Sequence, residues 1–265
     1  MSVRFSVFTK PWRTMTLQGL GEHVAQLGFT GIELPVRPGY QVPPESVERE
    51  LPDAAKILAD RGVRIESVAG PTDERTMDAC AAAGVPIIRI CVQIGPEGYL
   101  AAESRLQREF DALLPLLEKH GITLGIQNHC GDSIGSALGL RSLLNKYDPR
   151  RIAAVWDAAH NALNGEEPDH AIDIIWSHLC MVNLKNAFWK RINGPEAVAA
   201  QWRPYWTTGR HGLASWPRVV AELKKRGYAG VVCLTAEYDD HDSVDRLIAE
   251  DLNFARSLFE EPASA

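Results

Sequence analysis

The chain has 265 residues, 45% of them hydrophobic and 23% charged, with a formal net charge of −6. That is enough chain for one large α/β domain or two small ones, with ample material for a core. The acidic balance, without any dense Lys/Arg block, disfavours a nucleic acid or an anionic membrane surface as partner.

No apolar run approaches the roughly 18 residues of a membrane span, and MSVRFSVFTKPW lacks the apolar core of a signal peptide. The five cysteines, Cys80, Cys91, Cys130, Cys180 and Cys233, are scattered and form no CxxC pair. They read as reduced thiols in a cytoplasmic protein.

Val3–Thr9 alternates and is rich in β-formers, which predicts a strand. Thr16–Leu27 has Leu17, Leu20, Val24 and Leu27 at helical spacing and is closed by Gly28. A strand over Gly31–Val36, a helix over Ser46–Arg61 and a strand over Val63–Ala69 follow. Asp73–Ala83 is an Ala-rich helix stopped by Gly84, and Pro86–Val92 is the fourth strand. Ala101–His120 carries Leu106, Phe110, Leu113, Leu114 and Leu117 on a long helix ended by Gly121. Then come a strand (Ile122–Asn128), a helix (Ser133–Tyr147), a strand (Arg151–Trp156) and a helix (Asp169–His178). The last two units are Leu179–Lys185 with Ser215–Arg226, and Gly230–Glu237 with Asp242–Phe259.

Strands apolar on both faces, each followed by a helix, imply right-handed crossovers and a parallel sheet covered on both sides. Eight such units predict a single closed (β/α)8 TIM barrel over residues 1–265. A doubly wound open sheet would want a Gly-rich phosphate loop after the first strand, and FTKPW stands there instead. One connection breaks the rhythm. Asn186–Leu213 is an extended, aromatic-rich loop after strand seven, with Phe188, Trp189, Trp202, Tyr205 and Trp206. On the C-terminal face of a barrel it reads as a lid over a substrate, or equally as a subunit contact or small satellite core.

Chemistry in such a barrel collects at the C-terminal strand ends. Those ends carry Glu33, Arg89, Gln127 with Asn128 and His129, Asp157 with His160, Asn183 with Lys185, and Glu237; Arg210 and His211 follow in the loop before the seventh helix. Each alone admits a structural reading, as a cap, a turn or a salt bridge. Together they suggest a deep polar pocket. Gln127, Asp157, Asn183 and Glu237 could turn oxygens toward a hard divalent cation such as Mg²⁺ or Mn²⁺. Nitrogen ligands from His160 or His211 would shift the preference toward Mn²⁺, Zn²⁺ or Co²⁺. A hydrogen-bonded polar core without metal is the alternative.

GFTGIEL (Gly28–Leu34), GIQNH (Gly125–His129), VWDAAH (Val155–His160), VNLKN (Val182–Asn186) and GRHGLASWPRVVAELKKRGYAG (Gly209–Gly230) resemble, in order and spacing, motifs of the xylose-isomerase-like TIM-barrel superfamily, which includes sugar phosphate isomerases and epimerases. The resemblance covers nearly the whole chain. It implies a divalent metal held from strands five to eight, which by position means Gln127, Asp157, Asn183 and Glu237. Two positions depart from the family pattern of Glu, Asp, His and Glu: Gln127 replaces a carboxylate and Asn183 an imidazole, so metal affinity should fall.

The resemblance also implies proton transfer beside a carbonyl by two metal-bound Glu residues. The Gln127 amide cannot titrate, which argues against a two-base mechanism. Glu237 is the best base, with His160, His129 and Lys185 as alternatives. Glu33, Arg89, His129, Arg210, His211 and Trp156 are expected to bind substrate.

The favoured function is a sugar isomerase or epimerase acting on a carbohydrate-derived carbonyl compound by metal-assisted proton abstraction. A lyase or dehydratase on the same barrel is the alternative, and a metal-free member that binds a small polar ligand is the third reading. The superfamily's endonuclease branch suits the acidic charge poorly. The expected partner is a sugar or polyol-like small molecule, with room left for a homo-oligomer.

Overall fold

Short apolar runs rich in Val and Ile supply the staves of the fold. In the computed structural model, which describes residues 3–260, these are β1 (Arg4–Phe8), β2 (Gly31–Pro35), β3 (Arg64–Ala69), β4 (Ile87–Cys91), β5 (Thr123–Gln127), β6 (Ile152–Asp157), β7 (Leu179–Leu184) and β10 (Val231–Leu234). They close into a barrel in the order β1-β10-β7-β6-β5-β4-β3-β2. Every neighbouring pair is parallel. The expected (β/α)8 barrel is therefore the fold of the described residues; residues 1–2 and 261–265 of the expected domain lie outside them.

The helices are α1 (Leu17–Gln26), α2 (Val47–Ala59), α3 (Glu74–Ala83), α4 (Tyr99–His120), α5 (Ala137–Leu144), α6 (Ala158–Leu163), α7 (Pro168–Ile175), α8 (Trp216–Lys225) and α9 (Val244–Glu260). Their ends follow local chemistry. Thr16, Asp73 and Ser136 accept the backbone N–H three residues on, satisfying one orphan donor of α1, α3 and α5. Gly84 and Gly121 close α3 and α4 in the left-handed conformation. Among the described residues no helix is long and apolar enough to cross a membrane.

Alternation along each strand sorts side chains between two cores. Val7, Ile32, Val68, Ile88, Ile126, Trp156, Val182 and Val232 join the large cluster between strands and helices. Phe8, Ala69, Ile87, Val155, Met181, Val231 and Cys233 form a second, smaller cluster inside the barrel. Gly125 is needed there: a Cβ at its position would lie 2.6 Å from Val155 Cγ2. These side chains plug the barrel, so any pocket must form above them, at the C-terminal ends.

Three details depart from the simple rhythm. The long connection after β7 is an antiparallel hairpin, β8 (Asn186–Arg191) with β9 (Trp202–Thr207). The short helix α6 starts directly at the end of β6, and the expected helix over Asp169–His178 is α7 followed by a 3-10 turn over Trp176–His178. The last barrel strand stops at Leu234, short of Glu237, and Ala236 takes a positive φ of 51°. A buried, non-glycine residue in that region stores backbone strain, a feature that clusters at functional sites.

Candidate active site

The end of β6 is organised by Asp157. Its Oδ1 accepts the N–H of His160, 3.1 Å away, and so caps α6. This bond explains the spacing of Asp157 and His160, because a cap reaches the third residue of the helix it opens. Oδ2 accepts Gln127 Nε2 at 3.0 Å. Asn128 clamps the Asp157 backbone from the neighbouring strand, accepting its N–H at 2.7 Å and donating to its carbonyl at 3.1 Å. Asp157 is fully buried. Burial pushes its carboxyl up to about 6, against the pull of the Lys185 charge.

His160 accepts the Cys130 N–H at Nδ1, 3.2 Å away. Its ring lies 3.9 Å, centroid to centroid, from that of His129. Burial pushes both imidazoles down, His160 the further, and the Lys185 charge adds to the effect. Both rings are therefore neutral at pH 7.

The register of β6 with β7 sets Asn183 beside Asp157 at the same level of the barrel. Asn183 is buried, and neither its Oδ1 nor its Nδ2 has a hydrogen-bond partner; Gln127 Oε1 is likewise buried and unpartnered. Buried polar groups are nearly always paired, so these atoms have hydrogen-bonding capacity that the protein itself leaves unused. Just above, Lys185 Nζ lies 2.6 Å from Glu237 Oε2, and Lys10 Nζ lies 2.5 Å from Glu237 Oε1. Burial would raise the Glu237 carboxyl, but the two ammonium groups outweigh it and hold it at about 2.

Trp206, from the hairpin, covers this group. Its ring is 3.7 Å from Lys185 Nζ and 5.2 Å from the His160 ring. The hairpin is fastened to the loop after β10: Asp239 accepts the Trp206 N–H and pairs with Arg203. Asn186 ties both ends of this excursion, donating to Gly209 and Ala214 carbonyls and accepting from Ala187 and Ala214. A cavity of about 730 Å³ opens here, lined among others by Lys10, Arg13, Tyr40, Trp206, Glu237 and His241.

The expected site residues thus divide. Gln127, His129, Asp157, His160, Asn183, Lys185 and Glu237 gather at the ends of β5, β6, β7 and β10. Glu33 and Arg89 are at the mouth but engage each other: Arg89 Nε and Nη2 reach the two Glu33 oxygens at 3.0 and 2.5 Å, and Ser67 donates to Oε1. The Arg89 guanidinium also lies over the Phe8 ring.

Three residues lie elsewhere. Trp156 alternates outward from Asp157 into the layer beneath the helices, where its Nε1 donates to Asn161. Arg210 is exposed and stacks on Phe254 of α9. His211 is exposed and bonded to Thr208. The structure also adds Lys10, which the sequence reading did not include. Its only signal was a cation two residues beyond the end of β1, in FTKPW.

The implied metal can be tested against this donor set. Both Glu237 oxygens carry ammonium groups, both Asp157 oxygens accept hydrogen bonds, and Gln127 and Asn183 bring no charge. Two carboxylates facing two ammonium ions leave nothing to neutralise a divalent cation, so these residues do not fit one. A softer trio stands nearby: His129, Cys130 and His160 have potential ligand atoms within 4.8 Å of one another. Its two imidazoles lie against each other at a tilt of 34°, however, and His160 Nδ1 is already an acceptor. Burial also pushes the Cys130 thiol up, away from the thiolate a metal needs.

No curated protein matches the chain in sequence. Among solved structures it is similar to D-psicose 3-epimerase from Clostridium cellulolyticum H10, with a TM-score of 0.75, 13% identity, and 98% of this chain and 100% of that chain covered. It is similar to a xylose isomerase domain protein from Planctomyces limnophilus, with a TM-score of 0.74, 17% identity, and 97% and 96% covered. A probable 3-DHS dehydratase from Bacillus anthracis matches with a TM-score of 0.71, 15% identity, and 96% and 99% covered. At these identities the likeness shows the fold. The family profile described as xylose isomerase-like TIM barrel matches residues 22–258, nearly all of the described barrel, and the chain belongs to that family.

Proposed function

We propose that the chain is a sugar isomerase/epimerase-like enzyme that moves a proton at the carbon beside a carbonyl of a carbohydrate-derived substrate. The observation that carries the reading is Glu237 on the wall of the mouth cavity with Lys185 bonded to it, together with Asn183 at the end of β7, whose buried amide atoms no protein group satisfies. A hydroxy-carbonyl compound offers what this group lacks: hydroxyls to donate to and accept from Asn183, and a carbonyl oxygen for the Lys185 ammonium. Epimerases and a dehydratase among the structural neighbours suit the same class of substrate.

In this reading Lys185 donates to the substrate carbonyl oxygen and holds the charge that develops there. Glu237, the carboxylate on the cavity wall, takes the neighbouring carbon's proton. Its ground-state basicity is low because two ammonium groups hold it. When Lys185 turns to the substrate oxygen, one of them is diverted and the carboxylate becomes a better base. Asp157, sealed beneath, positions Gln127 and His160. Trp206 covers the ammonium and limits water.

Gln127 favours a second reading. With an amide where a second proton carrier would stand, the proton lifted by Glu237 need not be returned to the other face. The C–O bond at the β-carbon then breaks as the C=C bond forms, and the hydroxyl leaves as water with the proton that Glu237 took. One experiment separates the cases. The protein is incubated in D2O with D-fructose, D-tagatose or D-psicose and followed by proton NMR. Loss of the signal at the carbon beside the carbonyl, with or without a new sugar, is the expected result. An unsaturated carbonyl product would select dehydration. Unchanged spectra with all three ketoses, together with ligand-induced shifts of the protein alone, would reject catalysis on this class and leave a binding protein.

A further inference from the structure

We propose that the Lys185 ammonium, seconded by Lys10, occupies the place and takes over the electrostatic role of the divalent cation, so that this barrel works without a metal. A carboxylate that is to ligate a cation must turn a lone pair of at least one oxygen into open space. Glu237 lines the cavity, but each of its oxygens already faces an ammonium group, Oε1 that of Lys10 and Oε2 that of Lys185 at hydrogen-bond distance, so a cation approaching either would meet that charge. With Asp157 close by, the two ammonium ions cancel the negative charge that would hold a cation, while leaving donors for an electron-rich oxygen.

The remaining positions changed in the same direction. Gln127 offers a neutral amide, which spends an N–H on Asp157 and leaves one uncharged oxygen where a carboxylate would bring two oxygens and a charge. Asn183 offers a neutral amide where the family resemblance implies an imidazole, so no nitrogen lone pair is present. Each loss would cost a metal affinity, and neither costs an ammonium anything. Trp206 fits the same logic. An indole face 3.7 Å from Lys185 Nζ stabilises a fixed cation and keeps it aimed, a function a coordinated metal would obtain from its ligands. Lys185 is itself buried, which fixes the charge in place against Glu237.

An ammonium differs from a metal in what it can supply. It donates hydrogen bonds to one substrate oxygen at a time and does not chelate two. The step it supports is therefore polarisation of a single carbonyl oxygen while the proton passes from carbon to Glu237, with no change in oxidation state and no additional reactant. The inference rests on the proton-transfer reading of the same site for what Lys185 does. It does not need that reading for what Lys185 excludes, and the test uses the second.

The test is a Mn²⁺ titration of chelator-treated, full-length protein, followed by the electron paramagnetic resonance signal of free Mn²⁺. Wild type is expected to leave that signal unchanged up to millimolar Mn²⁺, apart from non-saturating loss. Saturable uptake of one Mn²⁺ per chain at micromolar concentration, abolished by Glu237→Gln, would overturn the proposal. The second arm is Lys10→Met/Lys185→Met/Gln127→Glu, with folding checked by circular dichroism. It is expected to gain one Mn²⁺ per chain, with at least a 100-fold tighter dissociation constant than wild type. A folded variant that gains nothing would show that the ammonium groups are not what keeps a cation out, and would also overturn the proposal. Should the variant not fold, the wild-type titration decides alone. Neither arm uses a substrate, so failure here is distinct from failure of the sugar reading.

Discussion

Two buried charge clusters share the mouth of the barrel, and they differ in how completely they are satisfied. On the β2–β4 side, Glu33 receives Arg89 through two hydrogen bonds and Ser67 through a third, and both partners are buried. On the β6–β10 side, Asn183 and Gln127 keep buried atoms without partners, and Glu237 stands at the edge of a cavity between two ammonium groups. A saturated pair has no capacity left for a ligand. An unsaturated group costs folding energy unless something arrives to complete it. In the proposed reading the first cluster holds the barrel together and the second serves binding and chemistry.

The largest effect expected from breaking this division is on stability. Arg89→Met leaves the Glu33 carboxylate buried and unpaired, and should lower the unfolding free energy by about 3–5 kcal/mol in a urea titration. The double change Glu33→Gln/Arg89→Met should cost less than Arg89→Met alone, because no charge is stranded. A loss under about 1 kcal/mol in the single variant would mean that the pair is solvated and not structural.

On the other side the effect should fall on activity. Lys185→Met should slow solvent exchange into a responsive ketose by about 10²–10³-fold, the usual cost of one electrostatic donor to a developing oxyanion. Its unfolding free energy should move far less, since Lys10 still faces Glu237. A stability loss matching that of Arg89→Met, with exchange intact, would return Lys185 to the structural class.

Glu237 sharpens the comparison through pH. Two ammonium groups hold its carboxyl at about 2, so it stays ionised down to that range. The acid limb of the rate should therefore lie well below pH 4. Lys10→Met removes one of these charges, so the folded-state carboxyl should rise toward the ordinary value and carry the acid limb upward with it. A wild-type limb near pH 6, unmoved by that variant, would instead point to Asp157, whose carboxyl is pushed up to about 6. The smallest effect is expected at Trp206. Trp206→Leu removes a cation–π contact of about 0.5–2 kcal/mol and should raise KM more than it lowers kcat.

The barrel was legible because its evidence is repeated: strand and helix recur eight times, often with a stop glycine, and no single error in a boundary alters the sum. The strand-end rule then brought Gln127, Asp157, Asn183, Lys185 and Glu237 to one place. What the sequence could not carry was direction. Trp156 adjoins Asp157 in the chain but faces the opposite way, since side chains alternate along a strand. Arg210 and His211 follow the mouth in sequence, yet the Asn186 clamp turns their loop outward, where Arg210 meets Phe254.

Pairing was equally hidden. Nothing in the spacing of Glu33 and Arg89 says that they saturate each other across two strands. Nothing in FTKPW says that Lys10 reaches Glu237 at the far end of the chain. The first contact depends on β3 setting β2 and β4 on either side of it, the second on closure of the barrel, which brings β1 against β10.

The most direct measurement is carbon-bound proton exchange in D2O, run on chelator-treated wild type and on Glu237→Gln at equal folded fraction. The account predicts exchange beside the carbonyl of at least one ketose in wild type, with no added metal, and none above background in the variant. Exchange in Glu237→Gln at the wild-type rate, or exchange in wild type that appears only on adding Mn²⁺, would contradict it.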